Sequence, residues 1–340
     1  MMPGSKDPDP YVFAHKWILF IKSNNHREKE MYYFIVNPKS RSGMGGRIWD
    51  SLRARLLQQN IEFRSYVTEH VGHATMLSRQ ISSHGTPEAP VTLVTVGGDG
   101  TIYEVLTGIC DLRSVIFGYI PTGSGNDFCR GMALPQDPDV ALTSILRQER
   151  IMEMDVPCIS SEGRKYRFGI SAGMGYDAAV CQEVLSTPFK KVFNRLHLGK
   201  LIYLFVALKQ LMFLHLSSMT LHMDGDRTYH YDNVYFTAVM NQKYEGGGFK
   251  FCPDASPQDG MLDVITAEGM GKLKLLLMLP TAFFGKHVHI KGIHIFRCKS
   301  IDITANVPVS VHKDGESGGI SDKISVFLEN SSLKVIMPVV

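Results

Sequence analysis

The chain has 340 residues, 44% of them hydrophobic and 20% charged. That length favours two domains, and the composition excludes a disordered chain. A formal charge of +3 with no dense Lys/Arg block gives no case for a nucleic-acid partner. It fits weak attraction to an anionic surface no better than an ordinary soluble enzyme. The six cysteines are scattered without a C-x-x-C pair, which argues against a zinc ribbon or a disulfide framework and fits reduced thiols in the cytosol.

Residues 1–10 are rich in Pro and Asp and residues 24–30 are polar. Between them "YVFAHKWILFIKS" is apolar, but it carries His15 and Lys16 and is too short to span a bilayer. Residues 1–30 therefore read as a disordered or non-native extension ahead of Met31. A short membrane-touching segment is the other reading.

From Met31 the pattern alternates. "MYYFIV" predicts a strand, "RIWDSLRARLLQQ" a helix with Ile48, Leu52 and Leu56 on one face, and "IEFRSYV" a strand. "HATMLSRQISS" predicts a helix presenting Met76, Leu77 and Ile81, and "VTLVTV" a buried strand. "IYEVLTGI", "VIFGYI" and "PDVALTSILRQE" continue as helix, strand and helix. Such alternation means crossover units on a parallel sheet, with ligands beyond the carboxyl ends of its strands. Residues 31–150 thus form an α/β domain.

After residue 150 the segments are mostly strand-like, from "DVPCI" to "KISVFLE", with turn dipeptides such as Asp224-Gly225 between them. Two helical stretches interrupt, around 190–215 and 272–285. Residues 151–325 read as a largely antiparallel second domain, and 326–340 as a C-terminal segment placed to return to the first. "HVHIKGIHIF" alternates as a strand, which disfavours His287, His289 and His294 as metal ligands.

Three strands end in small-residue loops: "NPKSRSGMGG" (37–46), "GGDG" (97–100) and "IPTGSGNDF" (120–128). Glycine turns opening helices supply free N–H groups and a positive dipole end, which suit phosphate. Thr101 and Glu104 have capping-box spacing. Asp99 is the informative residue. A carboxylate among phosphate-cradling amides repels its ligand unless a cation intervenes, so it points to Mg²⁺, a metal-bound water or a ribose. A plain β-to-α turn is the competing reading. None of the loops spells a Walker-type or a dinucleotide-binding motif.

"NPKSRSG", "GGDGT" and "PTGSGNDF", followed by "YEGGGFKFCPDASPQDGMLDV" and "VHKDGE", resemble in order and spacing the diacylglycerol kinase and sphingosine kinase family, closest to its soluble bacterial-type members. The resemblance covers nearly everything from Met31 onward. It implies a nucleotide-binding α/β domain packed on a β-sandwich, an active site in the cleft between them, and transfer of the ATP γ-phosphate to a lipid hydroxyl with Mg²⁺. Residue by residue, it implies that Asn37, Ser40 and Thr122 contact nucleotide or phosphate, with Gly98, Asp99, Gly100 and Thr101 beneath the phosphates. Asn126 and Asp127 match the N-D pair of the third loop. Asp314 corresponds to the proposed general base and Glu316 to a residue reaching back to the nucleotide. Asp259 matches a structural magnesium position, with Asp155 as a carboxylate behind the site. From its neighbours alone, Asp314 also suits an ordinary hairpin turn, and Asp127 a helix N-cap. "GSGND" departs from the usual G-T-x-N-D, so Ser124 would supply any hydroxyl needed there.

The acceptor is expected to be a lipid at a membrane surface, most simply diacylglycerol, reached by a cytoplasmic, peripherally associating protein. "FKKVFNRLHLGKLIYLFVALKQLMFLHL" (189–216) and "LKLLLMLPTAFFGKH" (273–287) suit either a membrane interface or a core helix. Neither is a clean transmembrane run. A NAD kinase, which shares "GGDGT", and a catalytically silent nucleotide- or lipid-binding module are the alternatives. A homodimer is compatible with the sequence, but nothing in it reads out an oligomeric state.

Overall fold

A computed structural model describes residues 31–186, 206 and 209–339. The N-terminal extension and most of the apolar stretch 189–216 lie outside the described residues.

The first half builds the expected crossover units. Strands β1 (Tyr32–Val36), β2 (Phe63–Val67), β3 (Val91–Gly97) and β4 (Val115–Pro121) are parallel neighbours in the order β2-β1-β3-β4. Helices α1 (Ser40–Gln58), α2 (His73–Ser82), α3 (Asp99–Gly108), α4 (Asp127–Gly131) and α5 (Pro138–Arg147) follow the strands. The sheet is completed by β17 (Leu333–Met337), which pairs parallel with β4 and antiparallel with β5 (Arg150–Met154). Burial on both faces explains the mostly apolar runs: β3 is almost wholly buried, with one core cluster on each side of the sheet.

One helix face differs from the sequence reading. On α1 Ile48, Leu52 and Leu56 do share the core-facing side, Ile48 partly covered, and Trp49 joins them. On α2 Ala74, Leu77 and Ile81 face the core, and Met76 points to solvent. The capping box is also corrected. Helix α3 starts at Asp99 with no side-chain cap. Glu104 instead receives the amides of Gly72 (2.8 Å) and Ala74 (3.1 Å) at the start of α2. Spacing alone cannot distinguish a carboxylate that caps its own helix from one that caps its neighbour. Glu104→Ala is expected to lower unfolding free energy by about 1–2 kcal/mol, because two helix-start amides lose their acceptor; denaturant titration checks this.

The second half is a nine-stranded, mainly antiparallel sheet. Its path is β14 (Ile293–Cys298), β13 (Leu262–Glu268), β10 (Arg227–Met240), β8 (Ser171–Gly175), β15 (Ser300–Lys313), β16 (Glu316–Leu328), β6 (Pro157–Ser161) and β7 (Arg164–Arg167). Strand β9 (Ser217–Met223) pairs with both β10 and β15, folding the sheet over an apolar core. Helix α6 (Tyr176–Ser186) leaves the end of β8, and its Tyr176 shares an apolar cluster with Leu275 and Met278 of helix α7 (Lys272–Ala282). A short hairpin joins β11 (Tyr244–Glu245) to β12 (Phe249–Lys250). Within "HVHIKGIHIF" only Ile293–Cys298 is strand. Lys286–His289 forms a 3-10 turn, with the buried His287 ring nitrogen Nε2 3.1 Å from the Phe251 carbonyl oxygen. The two halves are tied by Asp155 N–H to the Pro257 carbonyl (2.7 Å) and Thr107 Oγ1 to the Arg167 carbonyl (3.1 Å).

Candidate active site

Register places the three small-residue loops side by side. Val36 stands opposite Val96, Val96 opposite Ile120 and Gly97 opposite Pro121, so β1, β3 and β4 end in line. Their side chains then knit the loops together. Asn37 Nδ2 donates to Thr101 Oγ1 (3.0 Å), and Ser40 Oγ meets Thr122 Oγ1 (2.7 Å). Asp99 accepts the amides of Asp127 (3.1 Å) and Phe128 (3.2 Å) at the start of α4. Tyr119 Oη donates to the Gly97 carbonyl and lies 3.3 Å from Asn126 Oδ1.

The backbone is correspondingly tight. A Cβ on Gly98 would stand 3.2 Å from Gly123 Cα, so the second and third loops approach as only glycines allow. Arg41, Ser42 and Asn126 hold φ values of 47°, 57° and 52°. Non-glycine residues pay strain in that region, and such strain tends to gather at functional loops. Beside the first and third loops opens a cleft of about 750 Å³, lined by Arg41, Arg47, Ser124, Asn126 and Arg130. Three guanidiniums and a row of small residues suit a polyanion.

The acceptor half contributes Asp314. Its turn is the hairpin between β15 and β16, with φ of 48° at Asp314 and 76° at Gly315. The hairpin reading and the site reading therefore coincide in one residue. Its carboxylate is buried and accepts three amides: Gly169 (2.7 Å), Ile170 (2.7 Å) and Ser171 (3.0 Å). Burial pushes its pKa up to about 6, against the pull of those amides and of His312. Glu316 reaches across to the second loop: its Oε1 lies 2.5 Å from where a Cβ on Gly100 would sit.

Asp99, partly exposed, and Asp127, buried, form an acidic pair. Asp99 is pushed up to about 7, first by burial and then by the Asp127 charge, with Asp314 adding to it. Asp127 is raised chiefly by burial; its carboxylate takes the Gly247 amide (2.6 Å) and an ion pair with Arg130. It occupies the first position of α4 with Asn126 as the cap residue, so it is not the N-cap its spacing allowed. Two neighbouring carboxylates fit a divalent cation, which would relieve the repulsion that raises Asp99.

Asp259 and Asp155 lie apart from this pair. Asp155 accepts the Gly260 amide (2.8 Å), and burial followed by the Asp259 charge raises its pKa. Asp259 is ion-paired with Arg297, a cation the sequence reading did not foresee.

Sequence reasoning also missed a buried group beside Asp314. His312 Nε2 lies 3.0 Å from Asp177 Oδ2 and 3.5 Å from Glu245 Oε1, with all three side chains at least nine-tenths buried. The ligand-type atoms of the three lie within 4.8 Å of one another. Burial pulls His312 down, but Glu245 and Asp177 outweigh it and raise it to about 9. The residues come from α6, β11 and β15, far apart in the chain, so no local motif announces them. The signal available was an isolated His two positions before Asp314.

The profile of the diacylglycerol kinase catalytic domain matches residues 31–159, and that of the YegS C-terminal NAD kinase beta sandwich-like domain matches 170–336. The chain is also 32% identical over 296 residues to YtlR of Bacillus subtilis, which is named as a lipid kinase, covering 85% of this chain and 94% of that one. The chain belongs to the diacylglycerol kinase family. A diacylglycerol kinase of Mycobacterium tuberculosis is 26% identical over 285 residues, with 83% and 87% coverage. Among solved structures, a Bacillus anthracis chain superposes with a TM-score of 0.71 at 23% identity, over 92% of this family member and 97% of the other. A diacylglycerol kinase from the same organism gives 0.63 at 18%, over 92% and 98%. At those identities the structural likeness speaks to fold, and the fold is the one the residue pattern implied. The family membership makes the protein a lipid-kinase-type phosphotransferase.

Proposed function

We propose that the protein transfers the γ-phosphoryl group of ATP to the hydroxyl of a membrane lipid, most simply diacylglycerol, with Mg²⁺. One observation carries the reading. The loops after β1, β3 and β4 are knitted into a single rim by Asn37–Thr101, Ser40–Thr122 and Asp99–Asp127, and Asp314 from the other half lies near enough for its charge to act on Asp99.

On this reading Ser40, Thr122 and the glycine loops hold the phosphates with hydroxyls and amides, and Arg41 and Arg130 add charge. Asp99 and Asp127 would hold Mg²⁺, with Arg130 passing from Asp127 to the phosphates, and the ion when bound neutralises charge on the transferred group. The three amides from Gly169 to Ser171 fix Asp314 in one orientation. Its raised pKa makes the carboxylate a better proton acceptor than an ordinary one while leaving it mostly ionised at pH 7. It takes the acceptor hydroxyl's proton as the oxygen bonds to phosphorus and ADP leaves. Glu316 lies against Gly100 and closes the loop from the acceptor side. A second divalent ion at Asp259 and Asp155 would have to displace Arg297, so we assign Asp259 a structural part in which that guanidinium is the resident cation.

The test is an assay with γ-labelled ATP, Mg²⁺, vesicles carrying a panel of lipid alcohols, and NAD in parallel. Label in diacylglycerol is expected. Label in NAD alone, or tight ATP binding with no acceptor labelled, would overturn the proposal. Ser40→Ala with Thr122→Ala is expected to raise the KM for ATP by about tenfold with a smaller change in kcat, because each hydroxyl contributes hydrogen bonds of about 0.5–1.5 kcal/mol to phosphate binding.

A further inference from the structure

We propose that the face made by α7 and residues 209–214 docks the protein on an anionic lipid bilayer, next to the acceptor side of the cleft. Helix α7 reads KLKLLLMLPTA and is apolar on two sides. One side packs inward through Leu275, Met278 and Ala282. The other turns Leu273 and Leu277 outward, 69% and 68% exposed and one turn apart, and Phe284 continues this side at 73%. Lys272 Nζ donates to the carbonyls of Met212 (2.9 Å) and Leu214 (3.4 Å), which sets the exposed Met212 and Phe213 beside the start of α7. Exposed apolar side chains gathered on one face mark an interaction surface.

Charge selects the occupant. Between Glu268 and Asp302 the sequence has no acidic residue, and between Glu183 and Asp224 it has none either. Lys272, Lys274, Lys286 and Lys291 are exposed around the apolar side chains. An apolar face rimmed by ammonium groups is the composition of an interfacial segment on anionic headgroups. A second copy of the same face would bring like charges together.

The face also leads to the site. Phe283 stacks on Phe249 with ring centroids 4.0 Å apart, and Phe249 pairs with Glu245 across the β11–β12 hairpin. Gly247, in the turn of that hairpin, donates to Asp127. A bilayer on α7 therefore lies one hairpin away from the phosphate loops. The biological meaning rests on the lipid-kinase reading above, whereas the docking itself is measured separately.

The experiment is flotation of the full chain with phosphatidylglycerol/phosphatidylcholine vesicles and with phosphatidylcholine alone. Wild type is expected to bind the anionic vesicles at least tenfold more tightly. Leu273→Glu with Leu277→Glu is expected to cut that binding at least tenfold, while phosphorylation of a water-soluble short-chain diacylglycerol stays at the wild-type rate. Phe284→Ser serves as a second, milder variant should the double one melt early. Unchanged vesicle binding in folded variants would overturn the proposal. So would a wild-type dimer that the variants split with no effect on vesicles, since the face would then join two copies. Vesicle binding that depends on these residues, with no phosphorylation of either lipid, would leave the docking standing and sink the kinase reading instead.

Discussion

Asp314→Asn is expected to lower kcat by about 10²–10⁴-fold, the usual worth of a positioned general base, with ATP affinity unchanged. The second half of that expectation makes the test discriminating. Asp314 Oδ1 takes the amides of Ile170 and Ser171, and Oδ2 takes that of Gly169. In the asparagine variant one of these positions becomes an NH₂ group, and the assignment that keeps the two bonds on Oδ1 turns a donor against Gly169 N–H. A buried donor without an acceptor costs about 1–3 kcal/mol, so some loss of stability accompanies the loss of the base. Kinetics must be read well below the variant's melting transition. If kcat falls while calorimetric ATP binding holds, the missing proton acceptor is the cause. If both fall together, the segment before β8 has collapsed and the assignment of Asp314 as base fails. Wild-type kcat is also expected to decline on acidification with a midpoint near 6, where the buried carboxyl protonates, rather than near the ordinary aspartate value.

The parallel half was legible because burial on both faces leaves a strong signal. Runs such as Val91–Gly97 and Val115–Pro121 carry no charged residue and are mostly apolar, and glycine turns punctuate them. The adjacency of the three small-residue loops could be read for a related reason: they follow neighbouring strands of one parallel sheet, whose ends register places in line. What those residues do for each other was not legible. Ser40 touching Thr122, or Asp99 receiving the amides of α4, depends on strand register that no window of sequence contains. The same limit explains Glu104, whose spacing from Thr101 fitted a capping box although its carboxylate serves another helix.

The second half was harder. Its strands bend and bulge, as between Thr304 and Val309 on β15, so period-two patterns break and reappear on the other face. "YRFGISAG" reads as one strand, but it divides into the ends of β7 and β8 around the segment that holds Asp314. Arg297 beside Asp259 and the group around His312 are long-range encounters between ordinary-looking residues. Polar residues brought together from distant strands carry no spacing rule.

That group yields the largest stability effect expected in the acceptor half. His312 stands between Asp177 and Glu245, and Glu245 is itself pushed up to about 7 by burial. His312→Ala leaves two buried carboxylates facing each other. It is expected to cost about 3–5 kcal/mol of unfolding free energy, as removal of one partner from a buried ionic group does. His312→Asn keeps a donor toward Asp177 without the charge and is the better variant for the pH dependence. The folded-state pKa of His312, about 9, lies above its ordinary 6.5. Between those values the native state holds a proton that the unfolded chain has released, so unfolding free energy falls as pH rises. The stabilisation is complete below about 6.5 and disappears through about 9. Glu245, raised from 4.5 to about 7, adds a decline of the same sign at lower pH. Denaturant unfolding across pH 6.5 to 9 should therefore show a downward slope in wild type. His312→Asn should flatten it. An equal slope in both proteins would mean that His312 is neutral in the fold and that the two carboxylates are held by something other than its charge.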